Sequence, residues 1–174
     1  MTVADPTLWE SLGPDKLLPS PDTVPSRFET GTMQLELLAG MPACVDFIAS
    51  LSPTGSSRRE RVIGGLGAIE EHERVLLDRL LAGLVALPGV TVLGRPARRT
   101  PTVAFVVGRR SPAEIAGALG ANGVCVWSGD YYATELMRAL GRADSGGAVR
   151  VGLAPYTTAD EVDRFLAVLA ETGG

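Results

Sequence analysis

Apolar residues recur with two different periods along this chain, and the change falls near residue 90. From Gln34 to Leu51 they fall at Leu35, Leu38, Met41, Val45 and Ile48, one face of a helix. Gly40 and Pro42 stand inside that run. An interior proline removes a helix hydrogen bond and costs about 3 kcal/mol, so the spacing predicts a kink or two short helices. After the loop Ser52-Pro53-Thr54-Gly55, Ser57 with Glu60 forms a capping box. The helix it opens carries Val62, Leu66, Ile69, Leu76, Leu80 and Leu84 on one stripe and stops at Pro88-Gly89. At 1.5 Å per residue it reaches about 40 Å, longer than one small domain requires.

Beyond it the pattern turns to strands, expected at Val90–Leu93, Thr102–Val107, Val124–Trp127 and Ala148–Leu153. Ser111-Pro112-Ala113-Glu114 opens a helix between them, a weaker one covers about Tyr132 to Leu140, and Thr158-Ala159-Asp160-Glu161 opens the last. That last helix has Val162, Phe165, Leu166 and Leu169 as its buried stripe. The order β-β-α-β-α-β-α predicts a small α/β sandwich with a largely antiparallel sheet. The first 30 residues differ from all of this. They contain Pro6, Pro14, Pro19, Pro21 and Pro25 around one apolar island, Leu8-Trp9, which predicts extended surface chain rather than helix.

Composition narrows the functional classes. The chain has 174 residues, 45% apolar and 21% charged, with a net charge of −4. That is ordinary for a globular domain and excludes disorder by composition. An acidic balance with 5% aromatics argues against nucleic acid as a partner, since neither phosphate neutralisation nor base stacking has its residues. No run approaches the roughly 20 apolar residues of a membrane span, and MTVADPTLWE lacks the features of a signal peptide. Two cysteines, Cys44 and Cys125, sit in apolar segments and are expected to be small core residues in a cytoplasmic, reduced protein. Lys16 is the one lysine and His72 the one histidine, too small a stock for a nucleophile triad or a zinc centre.

Three segments carry candidate chemistry. In Arg27-Phe28-Glu29-Thr30-Gly31-Thr32, Gly31 lets backbone approach a ligand and Thr32 offers a hydroxyl near a helix start; this is an anion site or simply a helix cap. Trp127-Ser128-Gly129-Asp130-Tyr131-Tyr132 gathers three aromatics, a pocket wall if exposed and ordinary packing if buried. Arg150 alternates with Val149 and Val151, so it points away from them. Its fork suits a carboxylate, from the protein or from a substrate. His72 and the pairs Arg58-Arg59, Arg98-Arg99 and Arg109-Arg110 read as solvated surface.

The run RFETGT with the following QLELLAGMPACVDFIASL, and WSGDYYATELMRALG with the following GGAVRVGLAPYTTADEVDRFLAVL, resemble the class V aminotransferase and cysteine desulfurase family, fold type I enzymes using pyridoxal 5'-phosphate (PLP). The likeness runs from about Leu8 to Leu169, toward the cysteine desulfurase-like branch. It implies residues 1–55 as a remnant of the large PLP-binding domain and 56–174 as a bridging helix with the small C-terminal α/β domain. It further implies that Gly31 and Thr32 bind the cofactor phosphate of a neighbouring subunit, in a homodimer, and that Arg150 binds the α-carboxylate of an amino-acid substrate. Two positions depart from the family. Tyr132 stands where desulfurases carry the persulfide-forming cysteine, and no Ser-x-His-Lys motif is present, Lys16 having other neighbours. The expectation is therefore a C-terminal portion that begins just after the catalytic lysine and is inactive alone. A non-catalytic α/β module for association or small-molecule binding, and a folding-defective fragment, are the alternatives.

Overall fold

The computed structural model describes residues 4–173 and divides into two compact units, one ending at Ile48 and the other beginning at Ala49. The segment expected to be extended opens with a short helix, α1, Pro6–Ser11. Its proline sits at the first helical position, where a missing N–H costs nothing, and the Asp5 carboxylate accepts from the Thr7 N–H at 2.8 Å to cap it. Counting prolines without their position in the turn hid this helix. The opening residues Met1–Val3 lie outside the described residues.

Arg27 organises the rest of this first unit. It follows a cis Val24–Pro25 bond, within a single 3-10 turn at Ser26–Phe28. Its guanidinium donates to the carbonyls of Trp9 and Glu10 and lies 5.3 Å from the Phe28 ring centroid. Trp9 meets Phe28 edge-to-face at 4.6 Å, so the apolar island and the RFETGT run form one small cluster. Helix α2, Leu35–Ser50, then runs through Pro42 as one helix, not two. Exposure allows this, since the carbonyl that loses its donor at Pro42 lies on a solvated helix surface.

Helix α3, Arg58–Ala86, has the predicted capping box, with Glu60 N–H 3.2 Å from Ser57 Oγ and Ser57 N–H 3.0 Å from Glu60 Oε2. Its burial falls mostly in the C-terminal half, through Leu76, Leu77, Leu80 and Leu84, with Gly65 the buried residue of the N-terminal half. Leu66 of the expected stripe is exposed. Strands β1, Val90–Leu93, and β2, Thr102–Val107, fall at the expected residues. Helix α4, Pro112–Ala121, also begins at its capping box. Strand β3 is Trp127–Gly129 rather than Val124–Trp127. The Val124 N–H is taken by the Leu119 carbonyl at 3.0 Å, so Val124 closes helix α4 instead of entering the ladder. Helix α5, Thr134–Ala139, strand β4, Ala148–Gly152, and helix α6, Ala159–Gly173, complete the chain.

The sheet order is β1-β2-β4-β3, with all three pairings antiparallel. Val103, Phe105 and Val107 of β2 share a face with Val149 and Val151 of β4, and α3, α4 and α6 cover it with Leu80, Leu84, Ile115, Leu119 and Phe165. Phe105 and Phe165 meet edge-to-face at 6.1 Å. Helices α3 and α6 touch closely at Gly83, where a Cβ would lie 2.2 Å from a Leu166 methyl. On the other face, among the described residues of this unit, Met137 of α5 and Tyr131 pack on Val106 and Ala148.

Glycine to alanine should act with opposite signs at two positions. At Gly147, φ is +82° and a Cβ would lie 2.1 Å from the Gly129 carbonyl oxygen, so Gly147→Ala should cost about 2–4 kcal/mol in urea unfolding. At Gly117, exposed within α4 with open space around it, alanine should gain about 0.5–1 kcal/mol. Acid stability should report the α3 cap. The Ser56 hydroxyl and the Ser57 N–H hold the Glu60 carboxyl down to about 2. A depressed carboxylate favours folding above its unfolded value near 4.3, and that contribution is lost as pH falls toward 2. Glu60→Ala should flatten the fall of the urea midpoint across this window.

Candidate functional site

Alternation decides where Arg150 goes. Its neighbours Val149 and Val151 are committed to the helix-covered core, so its side chain leaves β4 on the open face of the sheet. Cross-strand pairing sets Ala104 on one side of it and Trp127 on the other. Thr102, Cys125, Val126, Trp127, Arg150 and Gly152 line a shallow depression there of about 400 Å³. No carboxylate among the described residues pairs with the guanidinium. Its partners are aromatic, the Tyr131 ring centroid at 4.9 Å and that of Trp127 at 5.9 Å. Of the two partners the sequence left open for Arg150, the intramolecular carboxylate is the one the structure does not supply.

The loop after β3 is the strained part of this face. Tyr131 and Tyr132 both take the left-handed conformation, at φ +57° and +60°. Such non-glycine residues cost of order 1 kcal/mol or more each. Asp130 helps hold them, accepting the Tyr132 N–H at 3.1 Å and the Thr134 hydroxyl at 2.8 Å. The Thr134 bond, then the Tyr132 one, keep the Asp130 carboxyl below its usual range. Tyr131 turns inward and its hydroxyl donates to the Ala148 carbonyl. Burial pushes its phenol up to about 12, partly opposed by the Arg150 charge. Tyr132 turns outward and is wholly exposed. Of the three aromatics, Tyr131 packs, Trp127 lines the depression and Tyr132 stands in solvent.

Gly31 and Thr32 belong to the first unit, and Arg150 to the second. Both Gly31 and Thr32 are exposed, and nothing lies within 4 Å of where a Gly31 Cβ would sit. Helix α2 begins only at Leu35, so Thr32 is not its cap. Among the described residues the hydroxyl and N–H of Thr32 have no hydrogen-bond partner. The arrangement offers two donors to an anion oxygen on an unobstructed loop, which fits the phosphate end of a cofactor and leaves its ring to residues elsewhere. Lys16 makes its contacts within the first unit. Its Nζ donates to the Ser20 carbonyl at 2.8 Å and lies 3.2 Å from the Asp22 carboxylate.

Other expectations change. Cys44 and Cys125 are exposed, not core residues. Cys125 precedes β3 where the chain has left the ladder, and it borders both the Arg150 depression and a cleft of about 240 Å³ on the helix side. His72 is on the surface as expected, with Nε2 2.8 Å from the Thr157 carbonyl oxygen.

Residues 20–165 match the sequence pattern of the family described as aminotransferase class-V. The chain belongs to that family. Among curated relatives, this class-V chain is 34% identical over 174 residues to the uncharacterised protein MT3887 of Mycobacterium tuberculosis, covering 99% of itself and 43% of that protein. It is 33% identical over 145 residues to a probable cysteine desulfurase of Pseudomonas aeruginosa, covering 83% of itself and 32% of that protein. Among solved structures, the apo cysteine desulfurase of Thermococcus onnurineus NA1 superposes with a TM-score of 0.68 at 27% identity, over 92% of this chain and 37% of that one. The cysteine desulfurase CsdA of Escherichia coli superposes with a TM-score of 0.66 at 20% identity, over 85% of this chain and 33% of that one, a likeness of fold. The chain therefore spans between a third and a little over two fifths of these relatives. No helix among its described residues is long and apolar enough to cross a membrane.

The Arg150 charge should be visible in the Tyr131 titration. Followed by the NMR shift of the ring Cζ, Tyr131 should ionise near pH 12, because burial disfavours the phenolate. In Arg150→Gln it should ionise higher still, since the cation that stabilises the phenolate is gone.

Proposed function

We propose that this chain is the C-terminal portion of a PLP-dependent, cysteine desulfurase-like enzyme that acts on an amino acid, with Arg150 receiving the substrate α-carboxylate. The observation that carries the reading is an arginine presented on the open face of a sheet with no carboxylate of its own, in a chain of the class-V family. Gly31 and Thr32 would hold the cofactor phosphate through the Thr32 hydroxyl and N–H. PLP, when bound, supplies the electron sink for bond cleavage at the amino acid's α-carbon. Each unit would hold one anion, Arg150 the substrate carboxylate and Thr32 the cofactor phosphate of a neighbouring subunit, and the covalent anchor comes from outside these residues.

On this reading residues 1–55 belong with a large domain, residues 56–174 form the small domain, and a second copy completes the site in a cytoplasmic homodimer. The 174 residues by themselves are inactive on this reading, because they carry no Ser-x-His-Lys motif and Lys16 stands among other neighbours. Tyr132 at the tip of the loop favours amino-acid chemistry without a persulfide on that loop, since a phenol cannot take up sulfur as a thiolate does.

Incubation with PLP, borohydride reduction and peptide mapping should leave Lys16 unlabelled. Stoichiometric labelling at Lys16, with turnover lost in Lys16→Ala, would show that the chain anchors its own cofactor and overturn the reading. In a form of the protein that retains PLP, Thr32→Ala should weaken retention on dialysis by about 1.5–3 kcal/mol, the worth of a hydrogen bond to a charged group. Unchanged retention would return Thr32 to a plain loop residue.

A further inference from the structure

Arg150 has five N–H donors, no carboxylate partner and an exposed position, conditions under which a long side chain ordinarily samples many rotamers. Here two rings border it. Trp127 faces it directly across the β3–β4 ladder and is 58% exposed, so little of that ring is used for packing. Tyr131 comes from the loop beyond β3, and its ring rests on the Ala148 and Val106 side of the same face. The Tyr131 hydroxyl is tied to the carbonyl of Ala148, two residues from Arg150 on the same strand. Both centroids lie within cation–π reach of the guanidinium carbon, at 4.9 and 5.9 Å. A planar cation bordered by ring faces keeps its N–H edge free for a ligand, which a salt bridge to a protein carboxylate would not allow.

We infer that Trp127 and Tyr131 form an aromatic clamp that positions Arg150 before any ligand arrives, making both of them positioning residues for carboxylate capture. The inference rests on the reading of Arg150 as the carboxylate contact, and it adds what makes that arginine ready. The strained backbone at Tyr131 has a purpose in this scheme, since the left-handed turn brings the ring back over Ala148. Ordering the arginine in advance removes an entropy loss from the binding step.

The test is NMR on the 15N-labelled full chain. The Arg150 Nε–H signal is identified by its disappearance in Arg150→Lys, and the Arg79 signal, from an arginine paired with Asp163, is the internal control for folding. The order parameter of the Arg150 Nε–H bond is read without ligand, and the protein is then titrated with L-alanine at fixed ionic strength. Trp127→Leu, and Tyr131→Phe, which keeps the ring but frees it from Ala148, should each lower the Arg150 order parameter. Each should weaken alanine binding about two- to fivefold, the scale of an exposed cation–π contact, with the Arg79 signal unmoved. Trp127→Phe, which keeps a ring face, should restore most of both. An Arg150 order parameter that is preserved in either Trp127→Leu or Tyr131→Phe overturns the clamp. Arg150→Lys binding alanine as well as the parent, or a parent that gives no response to alanine, instead overturns the carboxylate reading, and the ligand-free order parameters still decide the clamp.

Discussion

A strand cannot send two adjacent side chains to the same face, and β4 spends that constraint twice. Val149 and Val151 are drawn into the core under α3, α4 and α6, beside Phe105 and Val103. Burying such side chains is worth about 1.5–3 kcal/mol each, far more than any preference of the residue between them. Arg150 is therefore placed by its neighbours. It must emerge on the thinly covered face, and a one-residue slip of β4 would drive a charge into the core while turning two valines to water.

The same asymmetry explains how little of that face is covered. Among the described residues of this unit Met137 and Tyr131 pack there, over Val106 and Ala148, and the part of the sheet around Thr102, Trp127 and Arg150 lines a shallow depression. In the first unit the organising interaction is of another kind. Arg27 collects the Trp9 and Glu10 carbonyls and stacks near Phe28, giving a proline-rich segment a fixed shape around one guanidinium instead of a large apolar core.

What the sequence made legible follows from which forces are local. Helices α3, α4 and α6 begin where a Ser or Thr and a Glu three residues on satisfy each other's backbone donors, an arrangement complete within four residues. The outward direction of Arg150 was legible for a similar reason, needing only its two neighbours. Its aromatic partners were not, because the pairing of Trp127 with Arg150 depends on the register between two strands that are distant in sequence. Strand β3 was misplaced since the apolar run Val124–Trp127 reads as a strand until the Leu119 carbonyl claims its first N–H. The exposure of Cys44 and Cys125 escaped for want of the same tertiary information: apolar neighbours in sequence do not guarantee a lid in space.

The seat of Leu166 against Gly83 has a mechanical meaning. Helix α3 is gripped near its C-terminal end, where the Leu166 side chain of α6 lies so close to the Gly83 backbone that a Cβ on Gly83 would overlap it, while its N-terminal half is largely unburied. A second close contact, Gly64 on Ser52, lies near the other end of the helix. Over the roughly 40 Å from Gly83 to Arg58, a tilt of about 5° at Gly83 displaces the far end by about 3 Å. A side chain absent at position 83 thus governs the angle of a helix of 29 residues, and any larger residue there would be felt several turns away.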